Sequence, residues 1–169
     1  MTTAELNAAS KKDFVEAVGW VYEDSPWVAE RAWERRPFGS RAELHASMHD
    51  VLNAAPFDEK LALLRAHPDL GVRAKISPAS TGEQARAGLD RLTPDEYATL
   101  LGLNIEYRSR FGFPFLFAVK GATKSAIFES LAARVGNSYD VEFAEALRQV
   151  DRIAGFRLET LIVDDRGDQ

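Results

Sequence analysis

The sequence predicts an all-α fold, a single-domain bundle of about eight helices over residues 1–169. Three observations predict it. Apolar residues recur at helical spacing through most of the chain. Capping residues, prolines and glycines interrupt that pattern at intervals of about one helix length. The one dense apolar run, Phe113 to Val119, has a proline inside it and no second strand-like segment to pair with.

Taken in order, Ser10 before Lys11-Lys12-Asp13 is an N-cap, and Phe14, Val18 and Val21 supply the apolar stripe of a first helix. Ser25-Pro26 opens a second, which carries Trp27, Ala32 and Trp33 and ends at Arg36-Pro37; its tryptophans are expected in the core. Ser40-Arg41-Ala42-Glu43 has the capping-box pattern and opens a third helix, with Leu44, Met48, Val51 and Leu52 on the inner face, as far as Pro56. The fourth runs from Phe57 to Ala66 with apolar residues at 57, 61 and 64. Pro68 pushes its predecessor out of the α region, so His67 stands at a helix exit.

Residues 67–82 carry Pro68, Gly71, Pro78 and Gly82 and are predicted as a long loop, a kind of segment that in compact domains is usually functional. A helix follows over Glu83 to Leu89. Thr93-Pro94-Asp95-Glu96 then starts a longer one through Leu100, Leu103 and Tyr107 to Phe111, where Gly112 breaks it. The run from Phe113 to Val119 is expected to be buried and extended. Thr123 caps a helix ending at Val135 before Gly136, and a last helix covers Tyr139 to about Val163.

The composition, 46% apolar and 28% charged, is that of a globular protein. A net charge of -5 argues against nucleic acid or an anionic membrane as the main partner. The absence of cysteine removes disulfides, thiol nucleophiles and Cys-ligated zinc together. Residues 1–30 hold no apolar run of the secretory kind and no segment reaches membrane-spanning length, so a cytoplasmic location is expected. The ending Arg166-Gly167-Asp168-Gln169 is not a peroxisomal address.

Four groups of residues bear on chemistry. His67 lies where exposed helix carbonyls favour the imidazolium, which suits a proton donor near neutral pH, although a histidine in that place can also simply end the helix. Ser80-Thr81-Gly82-Glu83-Gln84 fits a capping box with Ser80 as N-cap. It equally offers an acid/base group and a neutral amide beside a glycine that admits close backbone approach. Phe143, Leu147, Val150, Ala154, Arg157 and Leu161 form one helical stripe, so Arg157 lies on an apolar face. It there meets a core carboxylate, snorkels to water, or grips an anionic ligand with its planar fork. His45 and His49 stand four apart with no third metal ligand evident, and are read as surface residues.

Taken together, four blocks resemble one family: His67-Pro68-Asp69-Leu70-Gly71; Ser80 to Gln84 with Ala87-Gly88-Leu89; Leu103-Asn104-Ile105-Glu106-Tyr107-Arg108-Ser109-Arg110-Phe111-Gly112-Phe113-Pro114-Phe115; and Arg157-Leu158. It is the 2-oxo-4-hydroxy-4-carboxy-5-ureidoimidazoline (OHCU) decarboxylase family of urate breakdown. The resemblance implies an all-helical, cofactor-free, usually dimeric enzyme that removes carbon dioxide from the ureidoimidazoline acid and leaves (S)-allantoin. It further implies His67 as catalytic acid/base assisted by Glu83. Pro68, Ser80, Thr81, Gly82, Glu83 and Gln84 are then substrate contacts, Phe115, Leu116, Phe117, Ala118 and Val119 a backbone wall, and Arg157 a ligand-binding cation. The chain departs from the pattern at Gly155-Phe156, where the family often has a basic residue and a leucine. Two other readings compete: another lyase or hydrolase acting on a ureido acid, and a non-catalytic helical interaction module.

Overall fold

The computed structural model describes residues 1–71 and 78–164; part of the predicted 67–82 loop and the ending at Arg166–Gln169 lie outside the described residues. Among the described residues there are nine α-helices and no strand beyond an isolated bridge between Thr2 and Val163. They are α1 (Thr3–Ala8), α2 (Lys11–Val18), α3 (Trp27–Ala32), α4 (Arg41–Ala54), α5 (Phe57–Ala66), α6 (Pro78–Arg86), α7 (Pro94–Phe111), α8 (Lys124–Arg134) and α9 (Tyr139–Leu161). Short 3-10 turns follow α2 and α3. No helix is long and apolar enough to cross a membrane among the described residues. The chain divides into two compact units, Met1–Ala66 with Asp151–Gln169, and His67–Val150; α9 contributes residues to each.

In the first unit, α2 and α4 start where local chemistry predicts. Ser10 and Ser40 accept the backbone N–H groups of Asp13 and Glu43. The Glu43 side chain reaches one residue further than a capping box requires, to the N–H of Gly39 at 2.6 Å. Phe14, Val18, Leu44 and Met48 are wholly buried. Three expectations fail here. A helix, α1, precedes the first predicted one, opened by a full capping box between Thr2 and Glu5. Trp27 and Trp33 are half-buried because guanidinium groups lie over their rings, Arg31 at 4.6 Å and Arg36 at 3.9 Å. On α5 the buried pair is Leu63 and Leu64, while Phe57 is 51% exposed.

In the second unit, α7 opens with a capping box between Thr93 and Glu96 and closes at Gly112, whose φ of 74° is the left-handed conformation glycine adopts without strain. Phe113, Phe115, Leu116, Ala118 and Val119 follow as the buried non-helical segment predicted, with Tyr107 stacked edge-on against Phe115 at 5.4 Å. The helix expected from Glu83 begins instead at Pro78, because proline is already shaped for a first helical turn. On α9 the predicted stripe is buried at Val150, Ala154 and Arg157, while in the first half of the helix Phe143 and Leu147 are half-buried and Glu142, Ala146 and Gln149 take the buried face.

Candidate active site

His67 is the first residue past α5, as the proline after it predicts, and is 4% exposed. Pro68 beside it is half-buried. The turn they open is gripped from two helices. Gln84 on α6 accepts the N–H of Gly71 through Oε1 at 2.8 Å, and Asn104 on α7 donates through Nδ2 to the Leu70 carbonyl at 2.9 Å. Those two groups belong to one peptide unit, so it is held at both ends. Arg108 adds an ion pair to Asp69 at 3.2 Å.

The segment read as a capping box is the interior of a helix. Ser80 is the third residue of α6, not its cap, and is buried on the same face as Gln84, four residues on. Thr81 is exposed, Glu83 is half-buried, and a Cβ at Gly82 would meet open space. The Gly71 bond takes Oε1 of Gln84 and leaves its two Nε2 hydrogens outside that bond.

The segment expected as a backbone wall is held by its own carbonyl and N–H groups. Arg134 donates to the Leu116 carbonyl at 2.7 Å and lies 4.5 Å from the centre of the Phe115 ring. Gln149 accepts the Ala118 N–H at 2.8 Å and is steadied by its own bond to Glu145 at 2.7 Å. Arg134 is neutralised by the fully buried Glu142, which also accepts from Tyr107 at 2.5 Å and Asn137 at 3.0 Å. Burial, then the hydrogen bond to Glu142, pushes the Tyr107 phenol well above its ordinary pKa, so it donates throughout the physiological range. Thus α7 serves both parts: Asn104 holds the turn after His67, and Tyr107, three residues on, packs against Phe115.

Arg157 belongs to the first unit, where its Nη1 pairs with Glu23 at 3.0 Å and also donates to the carbonyls of Trp20 and Val21. The core carboxylate among the alternatives for this arginine is therefore present. In the same unit, the two histidines read as surface residues converge on Asp151: His45 at 3.3 Å, half-buried, and His49 at 3.2 Å, exposed. Tyr22 donates to the same carboxylate at 2.6 Å. Among the described residues no cluster of three or more histidine and acidic side chains is arranged to hold a metal ion.

Sequence reasoning missed Asn104, Arg134, Glu142, Gln149 and Asp151. A signal existed for two of them, since Glu142 and Gln149 stand at helical spacing with Ala146 on a face that Arg157 continues.

Comparison with known proteins adds to this geometry. The family model described as OHCU decarboxylase matches residues 7–159, a span that takes in all of the second unit and most of the first. The chain belongs to the OHCU decarboxylase family. Within that family of carboxy-lyases, it is 47% identical over 169 residues to the 2-oxo-4-hydroxy-4-carboxy-5-ureidoimidazoline decarboxylase of Halalkalicoccus jeotgali, covering 100% of this chain and 96% of that one. With the protein of the same name from Haloferax volcanii it shares 46% over 158 residues, 94% of each chain. A solved structure of (S)-allantoin synthase superposes with a TM-score of 0.80 at 32% identity, over 96% of this chain and 54% of that one. An OHCU decarboxylase solved in the presence of (S)-allantoin superposes at 0.71 and 21% identity, over 90% and 98%, and shares the fold.

Proposed function

We propose that this family member removes the carboxylate of 2-oxo-4-hydroxy-4-carboxy-5-ureidoimidazoline as carbon dioxide and leaves (S)-allantoin, with His67 as the acid/base and Glu83 assisting it. The observation that carries the reading is a buried histidine at a helix exit, in a turn held by the amide of Gln84, in a chain of this family.

The chemistry suits these residue types. When the carbon–carbon bond to the carboxylate breaks, its electron pair enters the ring, and the adjoining carbon–nitrogen double bond accepts it. The substrate thus carries its own electron sink, and the reading needs no added cofactor. Protonation of the ureido-bearing carbon on one face, with the hydroxyl proton passing to the ring nitrogen that took the electron pair as the ring carbonyl forms, gives a single enantiomer. His67 delivers or relays that proton and Glu83 tunes the imidazole. Pro68, Ser80, Thr81, Gly82 and the Nε2 hydrogens of Gln84 contact the ring and ureido groups, and the backbone of residues 115–119 forms a wall. Arg157 grips the ligand away from the departing carboxylate, because a cation bound more tightly to that group than to the transition state would slow the loss of carbon dioxide.

The same reading takes both units as one domain over residues 1–169, which the span of the family match supports. It also takes the protein as a homodimer, on the strength of the family resemblance, and as cytoplasmic, the location expected from the sequence.

Circular dichroism of allantoin, followed as the substrate is generated in place from urate with and without the protein, tests the activity. Rapid appearance of the (S)-enantiomer only with protein present is the expected result, and slow racemic product at the uncatalysed rate overturns it. His67→Ala is expected to fold and lose activity. Gln84→Ala is expected to raise KM, and an unchanged KM removes its role in reading the substrate.

A further inference from the structure

Three side chains at successive turns of α7 meet three consecutive residues of the turn after His67, in reverse order. Arg108 pairs with Asp69 at 3.2 Å, Asn104 donates to the Leu70 carbonyl at 2.9 Å, and Leu100 packs where a Cβ on Gly71 would lie 2.3 Å from its Cδ2. Positions 100, 104 and 108 stand on one face of the helix. The far end of the Leu70–Gly71 peptide is closed by Gln84.

We infer that this α7 stripe, with Asn104 at its centre, positions His67 for the reaction. The inference rests on the reading of His67 as acid/base. Between the end of α5 at Ala66 and the clamped peptide lie His67, Pro68 and Asp69. Pro68 has its φ locked by its ring, and Asp69 is tied to Arg108, so few backbone torsions are left to swing the imidazole. Displacing a reacting group by about 1 Å costs on the order of a hundredfold in rate.

Asn104 is 5% exposed, and its Oδ1 accepts no hydrogen bond among the described residues. Its amide donates to the Leu70 carbonyl, so its effect is felt first at that peptide. Asn104 is therefore a positioning residue acting through the peptide it holds.

Asn104→Leu keeps the branched shape, at a somewhat larger volume, and removes the donor. The expected result is a kcat lowered roughly ten- to a hundredfold with KM within about twofold and an unchanged helical circular dichroism spectrum. A second readout is independent of turnover. The chain has three histidines, so the His67 imidazole signal is assigned by its loss in His67→Ala, and Asn104→Leu is expected to shift that signal and its titration midpoint. Unchanged kcat with an unmoved imidazole signal overturns the inference. So does a raised KM at constant kcat, which would make Asn104 a substrate contact, or a loss of activity that only tracks the unfolded fraction. Should Asn104→Leu fail to fold, Arg108→Gln alters the same turn from a half-exposed side chain; a smaller fall in kcat with a moved His67 signal supports the inference, and no change in either overturns it. If His67→Ala itself proves active, the acid/base reading fails, and the imidazole signal still reports whether Asn104 fixes the ring.

Discussion

Arg134 and Glu142 meet at 2.5 Å inside the second unit, Glu142 wholly buried and Arg134 with 9% of its side chain exposed. Two ions removed from water in this way hold each other, and the guanidinium spends a further hydrogen bond on the Leu116 carbonyl of the wall segment. Removing one partner strands the other. Arg134→Met is expected to lower unfolding free energy by about 3–5 kcal/mol, since it leaves an uncompensated buried carboxylate. Urea unfolding followed by circular dichroism measures it, and Arg134→Met combined with Glu142→Gln is expected to recover part of the loss.

Tyr107 donates to the same carboxylate and packs against Phe115. Tyr107→Phe keeps the ring and leaves Glu142 one donor short, at a cost of about 1–3 kcal/mol. Burial followed by the Glu142 bond holds its phenol well up from the ordinary value. Alkaline titration at the tyrosinate absorbance is accordingly expected to leave Tyr107 protonated until the protein unfolds, together with Tyr22, which burial and then Asp151 also raise, so Tyr107→Phe removes part of the late fraction.

Gly71 lies at φ 70° with Leu100 against its α-carbon. Gly71→Ala imposes left-handed strain and crowds a buried leucine, together about 2–4 kcal/mol. Adding Leu100→Ala relieves the crowding and not the strain, and opens a cavity of its own, so the double variant is expected to lose less stability than the sum of the two single variants. Either variant disturbs the peptide that Gln84 and Asn104 hold, and kcat is expected to fall in both.

The Asp151 cluster makes stability depend on pH. The hydrogen bond to Asp151 raises the His45 pKa above 6.5 against the opposing effect of burial, with Glu159 adding to the pull. Burial raises the Asp151 carboxyl, but hydrogen bonds from His45 and Tyr22 outweigh it and hold the group below 3.8. His49 faces the same carboxylate, while Arg41, Arg152 and Glu159 line the adjoining pocket with His45. The His45 contribution is complete below the unfolded-state value of 6.5 and is lost as pH rises through the higher folded value. The Asp151 contribution is present above 3.8 and is lost as pH falls through its lowered folded value. His45→Gln is thus expected to cost more at about pH 5.5 than at about pH 9. Equal costs at both, in paired denaturant melts, would show that the His45–Asp151 contact carries no charge.

Local signals were legible where a few neighbouring residues decide the outcome. Ser10, Ser40, Thr93 and Thr123 cap the helices they were expected to cap, because a cap depends on atoms within three residues of itself. Thr2-x-x-Glu5 carried the same message and was overlooked, its helix being only 6 residues long. Ser80-x-x-Glu83 misled: the pattern of a capping box is there, but Pro78 had already started the helix. Trp27 and Trp33 were assigned to the core by hydrophobicity alone, whereas Arg31 and Arg36 cover them from the solvent side of their rings.

By itself the sequence determined the all-helical class, most helix ends, the buried run after Gly112, the family, and the histidine at a helix exit. Each depends on periodicity, local capping or an ordered set of motifs carried in the chain. The tertiary structure alone decided which polar groups meet. Gln84 reaches Gly71 across 13 positions, Asn104 reaches Leu70 across 34, and Tyr22 reaches Asp151 across 129. No periodicity encodes such pairings. They exist because burying the apolar faces brings these side chains together away from water, where each donor and acceptor is driven to a partner within reach.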